Sequence, residues 1–170
     1  MKIGIVSDSH DRADALAHAV RGAAAEGATA VIHCGDLIGA NTLRSAMSLG
    51  LALHLIHGNN LGDSLALHRL SHESGGLVRY YGADARIELG GRRIFVVHLP
   101  EYGYAMACTG DWDLVCCGHS HSAGIARVPN VKGGTTWLVN PGTVAGLSAP
   151  ATWIVGDLAA MRFDLRNLGT

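Results

Sequence analysis

Residues 2–10, KIGIVSDSH, decide the fold, because an apolar segment runs without a turn residue into an Asp-x-His pair. The isoleucine and valine residues are typical of a central strand, which places Asp8 and His10 at its carboxyl end, where open α/β sheets bind ligands. Side chains alternate along an extended backbone, so Asp8 and His10 should point the same way and could hold one cation together. Taken alone, such a pair more often marks a capped turn beside a surface histidine.

The composition indicates a compact α/β protein with one domain, residues 1–170. Hydrophobic residues make up 48% and charged residues 16% of the chain, and 23 glycines against 4 prolines indicate many loops within a folded protein. A formal net charge of -1 provides no electrostatic surface for nucleic acid or for an anionic membrane. We therefore expect a small-molecule partner, with no nucleic-acid groove and no membrane association.

The four cysteines indicate a reducing compartment. Cys34, Cys108, Cys116 and Cys117 show no zinc-type pairing, and the adjacent two cannot readily form a disulfide because neighbouring strand residues face opposite sides. No positively charged leader with an apolar core opens the chain, and no apolar run is long enough to span a bilayer. These features predict a cytoplasmic protein.

Strand-like and helix-like segments alternate in the first part of the chain. Apolar runs predict strands over 2–6, 30–33 and 51–56, and amphipathic patterns predict helices over 14–26 and 41–49. This βαβαβ order implies parallel strands with right-handed crossovers, so the carboxyl ends of the strands share one edge. Polar residues follow each strand at that edge: Asp8 and His10, then Asp36, then Asn59.

The rest of the chain is predicted to add two helices and further strands. One helix covers 63–74, with Leu65, Leu67 and Leu70 as its buried residues, and Gly90-Gly91 is typical of a two-residue hairpin turn. The other helix covers 101–109, and the strands cover 77–81, 86–89, 92–97, 113–117, 125–128, 135–139, 152–156 and 161–165. Histidines again follow strand ends, at His98 and at the pair His119 and His121. We predict two packed sheets with helices outside.

The polar residues at the strand ends form a set of metal ligands. The set comprises four imidazoles, two carboxylates and one amide oxygen: Asp8, His10, Asp36, Asn59, His98, His119 and His121. Seven ligands are too many for one tetrahedral ion but suit two borderline divalent ions, provided that one carboxylate bridges them. Asp36 is the natural bridge because its strand is central in the strand order. Considered singly, each residue is better explained as part of a capped turn or as a surface histidine than as a metal ligand. Seven such residues at successive strand ends are improbable as a coincidence.

The order of these motifs resembles the calcineurin-like metallophosphoesterase superfamily, and most closely its small bacterial and archaeal phosphodiesterases. The turn Asn140-Pro141-Gly142-Thr143 resembles the Asn-Pro-Gly-Ser/Thr turn of that subfamily. The resemblance implies a four-layered α/β/β/α sandwich of two mixed sheets with two metal ions. Carried over by position, one metal site would consist of Asp8, His10, Asp36 and His121. The other would consist of Asp36, Asn59, His98 and His119.

The resemblance also implies the activity, a metal-dependent phosphoesterase that acts on phosphodiesters more readily than on phosphomonoesters. Two divalent ions would lower the pKa of a bridging water, and the resulting hydroxide would attack phosphorus in line. The predicted catalytic residues are Asp36, Asn59 and His98. The predicted substrate contacts are Asn60 and Asn41, the latter because of its position in a loop. Manganese is the first choice of metal, while sites of this kind also accept nickel, iron or zinc. A homodimer is compatible with the sequence.

Two departures from the family pattern bear on this prediction. After Gly58-Asn59 the family usually carries His or Cys and then an acidic residue, whereas this chain has Asn60 and Leu61, so a general acid is missing unless Asp63, His57 or a metal-bound water substitutes. Relatives often continue with Gly after the histidine at position 98, but here Leu99-Pro100 follows. The departures leave open a protein-interaction scaffold of the same fold, as in the retromer subunit of the superfamily. A nuclease would also use two metals, but the chain lacks a basic stripe.

Overall fold

The computed structural model describes residues 1–169, which form eleven strands and four helices. In chain order these are β1 (Lys2–Val6), α1 (Ala13–Ala25), β2 (Ala28–His33), α2 (Ala40–Met47), β3 (Ala52–Leu55), α3 (Ser64–Glu73), β4 (Val78–Tyr80), β5 (Asp84–Leu89), β6 (Arg92–Val97), α4 (Pro100–Cys108), β7 (Leu114–Cys116), β8 (Gly124–Pro129), β9 (Thr135–Asn140), β10 (Thr152–Asp157) and β11 (Arg162–Asn167). Among these described helices, none has the length and apolar character needed to cross a membrane.

The strands form two mixed sheets. The first has the order β11-β10-β1-β2-β3-β4 and the second the order β5-β6-β7-β9-β8. In the first sheet β1 to β4 run parallel, whereas β10 and β11 are antiparallel to their neighbours. In the second sheet β6, β7 and β9 are parallel and the two edge strands are antiparallel. Carboxyl ends of parallel strands from both sheets are therefore available to build a site.

Three apolar layers hold the sheets and helices together. The layer between the sheets contains Ile3, Ile5 and Ile32 from the first sheet and Ile94 and Cys116 from the second. A second layer packs α1 and α2 on the outer face of the first sheet, and a third packs α4 on the outer face of the second. The order of layers is α/β/β/α, which confirms the predicted fold class.

Strand β1 is apolar throughout because both of its faces are covered. Ile3 and Ile5 enter the layer between the sheets, and Val6 enters the layer beneath α1. Gly4 lies directly under the helix, where an added Cβ would come within 2.8 Å of the Ala23 Cβ. The glycine thus allows α1 to approach the sheet closely, which a strand with larger side chains would prevent.

The predicted elements occur at nearly the predicted positions, with one wrong prediction about burial. Leu65, predicted to be buried, is 59% exposed, because α3 covers the sheet with one narrow face centred on the fully buried Leu67. Gly90 and Gly91 have φ of 57° and 72°, the pair of positive values that a type I′ hairpin turn requires. The hairpin between β5 and β6 is therefore confirmed.

Candidate metal centre

The seven predicted ligands follow five parallel strands whose ends meet at one side of the sandwich. Asp8 and His10 follow β1, Asp36 follows β2 and Asn59 follows β3, all in the first sheet. The remaining three follow strands of the second sheet: His98 follows β6, and His119 and His121 follow β7. We call these seven residues the metal centre. Both sheets contribute to it, so it forms only when they pack.

Five residues of the metal centre have a left-handed backbone conformation. Their φ angles are 51° at Asp8, 47° at His10, 55° at Asp36, 66° at His119 and 56° at His121. Non-glycine residues rarely adopt positive φ, and each instance costs on the order of 1–3 kcal/mol. The prediction that Asp8 and His10 face one way through strand alternation is therefore wrong in its reason. Strand β1 ends at Val6, and the left-handed turns direct the two side chains.

One group of ligand atoms consists of Asp8, His10 and His121, which lie within 4.8 Å of one another. The Nε2 of His121 is 3.3 Å from Oδ1 of Asp8. On the other side of the ring, His121 Nδ1 donates a hydrogen bond to the carbonyl oxygen of Leu147 at 2.8 Å. A neutral imidazole with its proton on Nδ1 has a lone pair on Nε2, so His121 presents a ligand atom to the group.

The second group consists of Asp8, Asp36 and His98, all buried. His98 Nδ1 donates to the carbonyl oxygen of Cys34 at 2.8 Å, which leaves Nε2 to face the carboxylates. That nitrogen lies 3.4 Å from Asp36 Oδ1 and 3.9 Å from Asp8 Oδ1. The Cys34 carbonyl therefore fixes the position of the imidazole ring, as an acceptor on the far nitrogen usually does for a metal-binding histidine.

Asn59 and His119 extend the second group toward the solvent. The amide oxygen Oδ1 of Asn59 is 3.0 Å from His98 Nε2 and 2.8 Å from His119 Nδ1. Both Asn59 and His119 are exposed, unlike the carboxylates behind them. The second group thus opens at the surface, where a substrate can reach it.

The two groups share Asp8, although the sequence pointed to Asp36 as the shared carboxylate. Asp36 is held by Asn60, whose backbone N–H donates to Oδ1 at 2.9 Å and whose side-chain amide donates to Oδ2. These two bonds orient the Asp36 carboxylate, whose Oδ1 lies 3.4 Å from His98 Nε2. The side chain of Asn60 consequently points at a ligand, whereas its predicted role was a substrate contact.

The ligand atoms of the first group fit a cation. Oδ1 of Asp8 and Nε2 of His10 are buried and, within the described residues, have no hydrogen-bond partner. The other Asp8 oxygen, Oδ2, accepts a hydrogen bond from the His119 backbone N–H at 3.0 Å. A buried carboxylate oxygen without a donor is costly, and a bound cation removes that cost. The donor set of oxygen and imidazole nitrogen suits borderline divalent ions.

The turn from Asn140 to Thr143 braces two of the loops that carry ligands. Thr143 Oγ1 donates to the carbonyl oxygen of Asp8 at 3.0 Å, and Asn140 Nδ2 donates to that of Gly118 at 2.8 Å. Gly142 has a φ of 78°, and an added Cβ would overlap Oγ1 of Thr152. The sequence predicts a turn here, and the structure shows that this turn connects the loops after β1 and β7.

His33 supports the loops from inside the protein. Its Nδ1 accepts a hydrogen bond from the Gly35 backbone N–H at 3.2 Å, so its Nε2 carries the proton and donates to Ser9 Oγ at 2.8 Å. Complete burial, reinforced by the nearby His98, lowers the pKa of His33 to about 3. The ring therefore stays neutral near pH 7 and joins the loops after β1 and β2.

The other side chains considered from sequence lie away from the ligand atoms, with one exception. Asn41, predicted as a substrate contact on its loop position, belongs to the first turn of α2, and its Oδ1 accepts a hydrogen bond from Arg44 Nε at 3.0 Å. Asp63 caps α3 by accepting from the Ala66 N–H at 2.9 Å. His57 is the exception, because it lines a cleft next to Asn59.

That cleft was not predicted from the sequence. It has a volume of about 330 Å³ and is lined by His57, Gly58, Asn59, Ala83, Asp84, Val97, His98, Leu99 and Tyr102. We use "the cleft" for this cavity from here on. Ala83, Asp84 and Tyr102 belong to no recognisable motif, so only their position in the fold marks them.

Comparisons with known proteins find similarity over most of the chain. A family model for the calcineurin-like phosphoesterase superfamily domain matches residues 1–161. A phosphodiesterase of Methanocaldococcus jannaschii is 27% identical over 152 residues, which cover 86% of this chain and 86% of that protein. The structure of an archaeal phosphodiesterase superposes with a TM-score of 0.85 at 24% identity, over 98% of this chain and 99% of the other. A phosphoesterase from E. coli superposes with a TM-score of 0.66 at 17% identity, over 99% and 100% of the two chains.

Proposed function

Because the chain belongs to the calcineurin-like phosphoesterase superfamily, we propose that it hydrolyses small phosphodiesters with two divalent ions held by the metal centre. It is a metal-dependent phosphoesterase, and relatives that match most of its length are named as enzymes. A scaffold without activity is therefore not favoured. The match to a phosphodiesterase supports diesters as the substrates.

The observation that carries the proposal is the pair of buried ligand atoms without partners, Asp8 Oδ1 and His10 Nε2. A scaffold would gain nothing from leaving these atoms unpaired, since each one costs stability. Two divalent ions would bring four positive charges against the two ligand carboxylates. The resulting net positive charge would attract a phosphate oxyanion although the protein as a whole is nearly neutral.

Each part of the metal centre has a task in this proposal. The carboxylates of Asp8 and Asp36 and the imidazoles would hold the ions, and Asn59 and His98 would stand where the substrate phosphate enters. The ions themselves would act as Lewis acids and lower the pKa of water. Asn60 does not protonate the leaving group, because its side-chain amide carries no acidic proton; that amide instead donates a hydrogen bond to Asp36. Of the two side chains considered as substitutes, Asp63 caps a helix, whereas His57 lines the cleft, where its Nδ1 is hydrogen-bonded to the Tyr80 hydroxyl and burial lowers the pKa of its imidazole.

Several finer points belong to the same proposal. We propose manganese as the metal, since sites built from nitrogen and oxygen ligands accept it readily. We also propose that residues 1–170 act as one domain, which the family match over residues 1–161 supports. The unpaired cysteines support a cytoplasmic location. A homodimer is compatible with the proposal but is not needed for it, because one chain supplies all seven ligands.

The test uses metal-stripped protein with manganese or nickel added back. Hydrolysis of bis-p-nitrophenyl phosphate is compared with that of p-nitrophenyl phosphate, in the wild type and in Asp36→Asn. We expect metal-dependent turnover that is faster for the diester and is lost in the variant. The control is Asp14→Asn, an exposed change on α1 that should leave turnover intact. Faster turnover of the monoester would refute the preference for diesters. No turnover with two ions bound would refute the proposal that the protein is an enzyme.

A further inference from the structure

The cleft begins at the metal centre and leads away from it. Asn59 and His98 line the cleft and also belong to the second ligand group, so a phosphate bound there would have one ester group at the mouth of the cleft. The volume of about 330 Å³ is near the lower limit for ligand pockets. The space therefore suits one compact group of the substrate.

The walls of the cleft are largely apolar. Ala83, Val97 and Leu99 contribute aliphatic surface, and Tyr102 contributes an aromatic ring that is 60% exposed. Apolar walls with an exposed aromatic ring favour a flat ring that can stack, which is the arrangement by which proteins bind single bases. The walls disfavour a branched sugar or a second phosphate, since their hydroxyl or charged groups would lose water without gaining partners.

The charge in the cleft adds a second preference. Asp84 is exposed at the start of β5, and the described residues that line the cleft include no other carboxylate and no lysine or arginine. A carboxylate repels an additional anionic group and accepts hydrogen bonds from N–H donors. The cleft thus combines a stacking surface with an acceptor for N–H groups.

We propose that the cleft binds the ester group of the substrate and selects a flat ring with an N–H donor, as a nucleobase has. The ring would pack against Tyr102 and direct its N–H toward Asp84, while the phosphate occupies the metal centre. This inference rests on the proposed function, because it takes the phosphate position from the metal centre. The substrate class is then a small nucleotide-like phosphodiester.

The test compares two ligands that carry the same phosphate group, adenosine 5′-monophosphate and ribose 5-phosphate. Their binding to manganese-loaded protein is measured by calorimetry, which requires no turnover. We expect the nucleotide to bind about tenfold more tightly to the wild type, as one stacked base contributes. In Tyr102→Ala the dissociation constants of the two ligands should differ by less than about threefold, because the stacking contribution of the base is lost.

The matched control is Tyr104→Ala. Tyr104 lies on the same helix, α4, and is 57% exposed, but it does not line the cleft. This variant should keep the tenfold preference. Because both tyrosines are exposed, both variants should unfold at the wild-type temperature, which thermal unfolding verifies.

The outcomes separate this inference from the proposed function. Equal binding of the two ligands by a wild type that hydrolyses diesters would overturn the cleft assignment and leave the proposed function intact. An equal loss of preference in both tyrosine variants would also overturn it. Binding of neither ligand, together with no turnover of bis-p-nitrophenyl phosphate, would overturn both. A preference that disappears only in Tyr102→Ala would establish the assignment.

Discussion

Replacing Asp8 by asparagine should stabilise the metal-free protein and remove most of its stabilisation by metal. Asp8 is fully buried, and its Oδ1 has no donor within the described residues. In Asp8→Asn an amide N–H₂ can occupy that position, 3.3 Å from Nε2 of His121, the ring nitrogen that does not bond to the Leu147 carbonyl, and donate to it. The remaining amide oxygen can still accept from the His119 N–H. Asparagine also tolerates the φ of 51° at this position.

The magnitude follows from these contacts. Relief of an unsatisfied buried carboxylate oxygen is worth about 1–3 kcal/mol, which raises the Tm of a chain of this size by about 2–12 °C. Metal at a hundred times its Kd stabilises the wild type by about 2.7 kcal/mol. Asp8 belongs to both ligand groups, so its loss weakens both. If binding falls a hundredfold, the same metal concentration provides only about 0.4 kcal/mol.

The assay is thermal unfolding of metal-stripped protein with and without added manganese, for the wild type, Asp8→Asn and the exposed control Asp14→Asn. The expected pattern is a higher Tm for metal-free Asp8→Asn and a metal-induced shift that is large only in the wild type and the control. A lower Tm for metal-free Asp8→Asn with an undiminished metal shift would refute the reasoning. Asp8 would then be a structural acceptor that binds no metal.

Three other predictions test the surroundings of the metal centre. In Gly58→Ala the new Cβ would overlap Asp36 Oδ1, so diester hydrolysis should fall about a hundredfold. In the control Gly39→Ala the new Cβ meets nothing within 4 Å, so hydrolysis should be retained. Equal losses of activity in both variants would contradict the argument. Asn60→Ala removes a donor to Asp36 and should weaken manganese binding about tenfold in calorimetric titrations, whereas tighter binding would show that Asn60 competes with the ion. Burial, with a smaller effect of a nearby arginine, lowers the pKa of His54 to about 4. The unfolded chain, with a histidine pKa near 6.5, therefore binds more protons than the folded protein between about pH 4 and 6.5. The contribution of His54 to the free energy of unfolding is complete above this range and is lost as the pH decreases through it. His54→Gln should reduce that fall by at most about 1.4 kcal/mol per pH unit in urea unfolding, and an unchanged slope would refute the assignment.

Much of the fold follows from local patterns. The apolar run at residues 2–6 predicts a strand because both faces of β1 are buried, and Gly90-Gly91 predicts the hairpin because only glycine readily adopts two successive positive φ values. The burial of α3 was not predictable in the same way. Leu65 fits the helical pattern of Leu67, but the width of the contact between α3 and its neighbours decides whether it is covered.

The sequence likewise predicts the seven candidate ligands, because parallel strands bring their carboxyl ends to one edge and each strand end carries a polar residue. The tertiary structure alone decided how those ligands are arranged. Left-handed backbone angles aim Asp8 and His10, and the hydrogen bonds from Asn60 orient the Asp36 carboxylate. Such details depend on contacts between loops far apart in the chain.

The cleft was decided by the tertiary structure for the same reason. Asp84 begins β5 and Tyr102 lies on α4, and neither residue stands in a motif or near the other in sequence. They line one cavity because the second sheet packs its β6 end against the loop after β3. Local propensity specifies strands, turns and the residues at their ends, whereas a binding surface between loops depends on how the two sheets pack against each other.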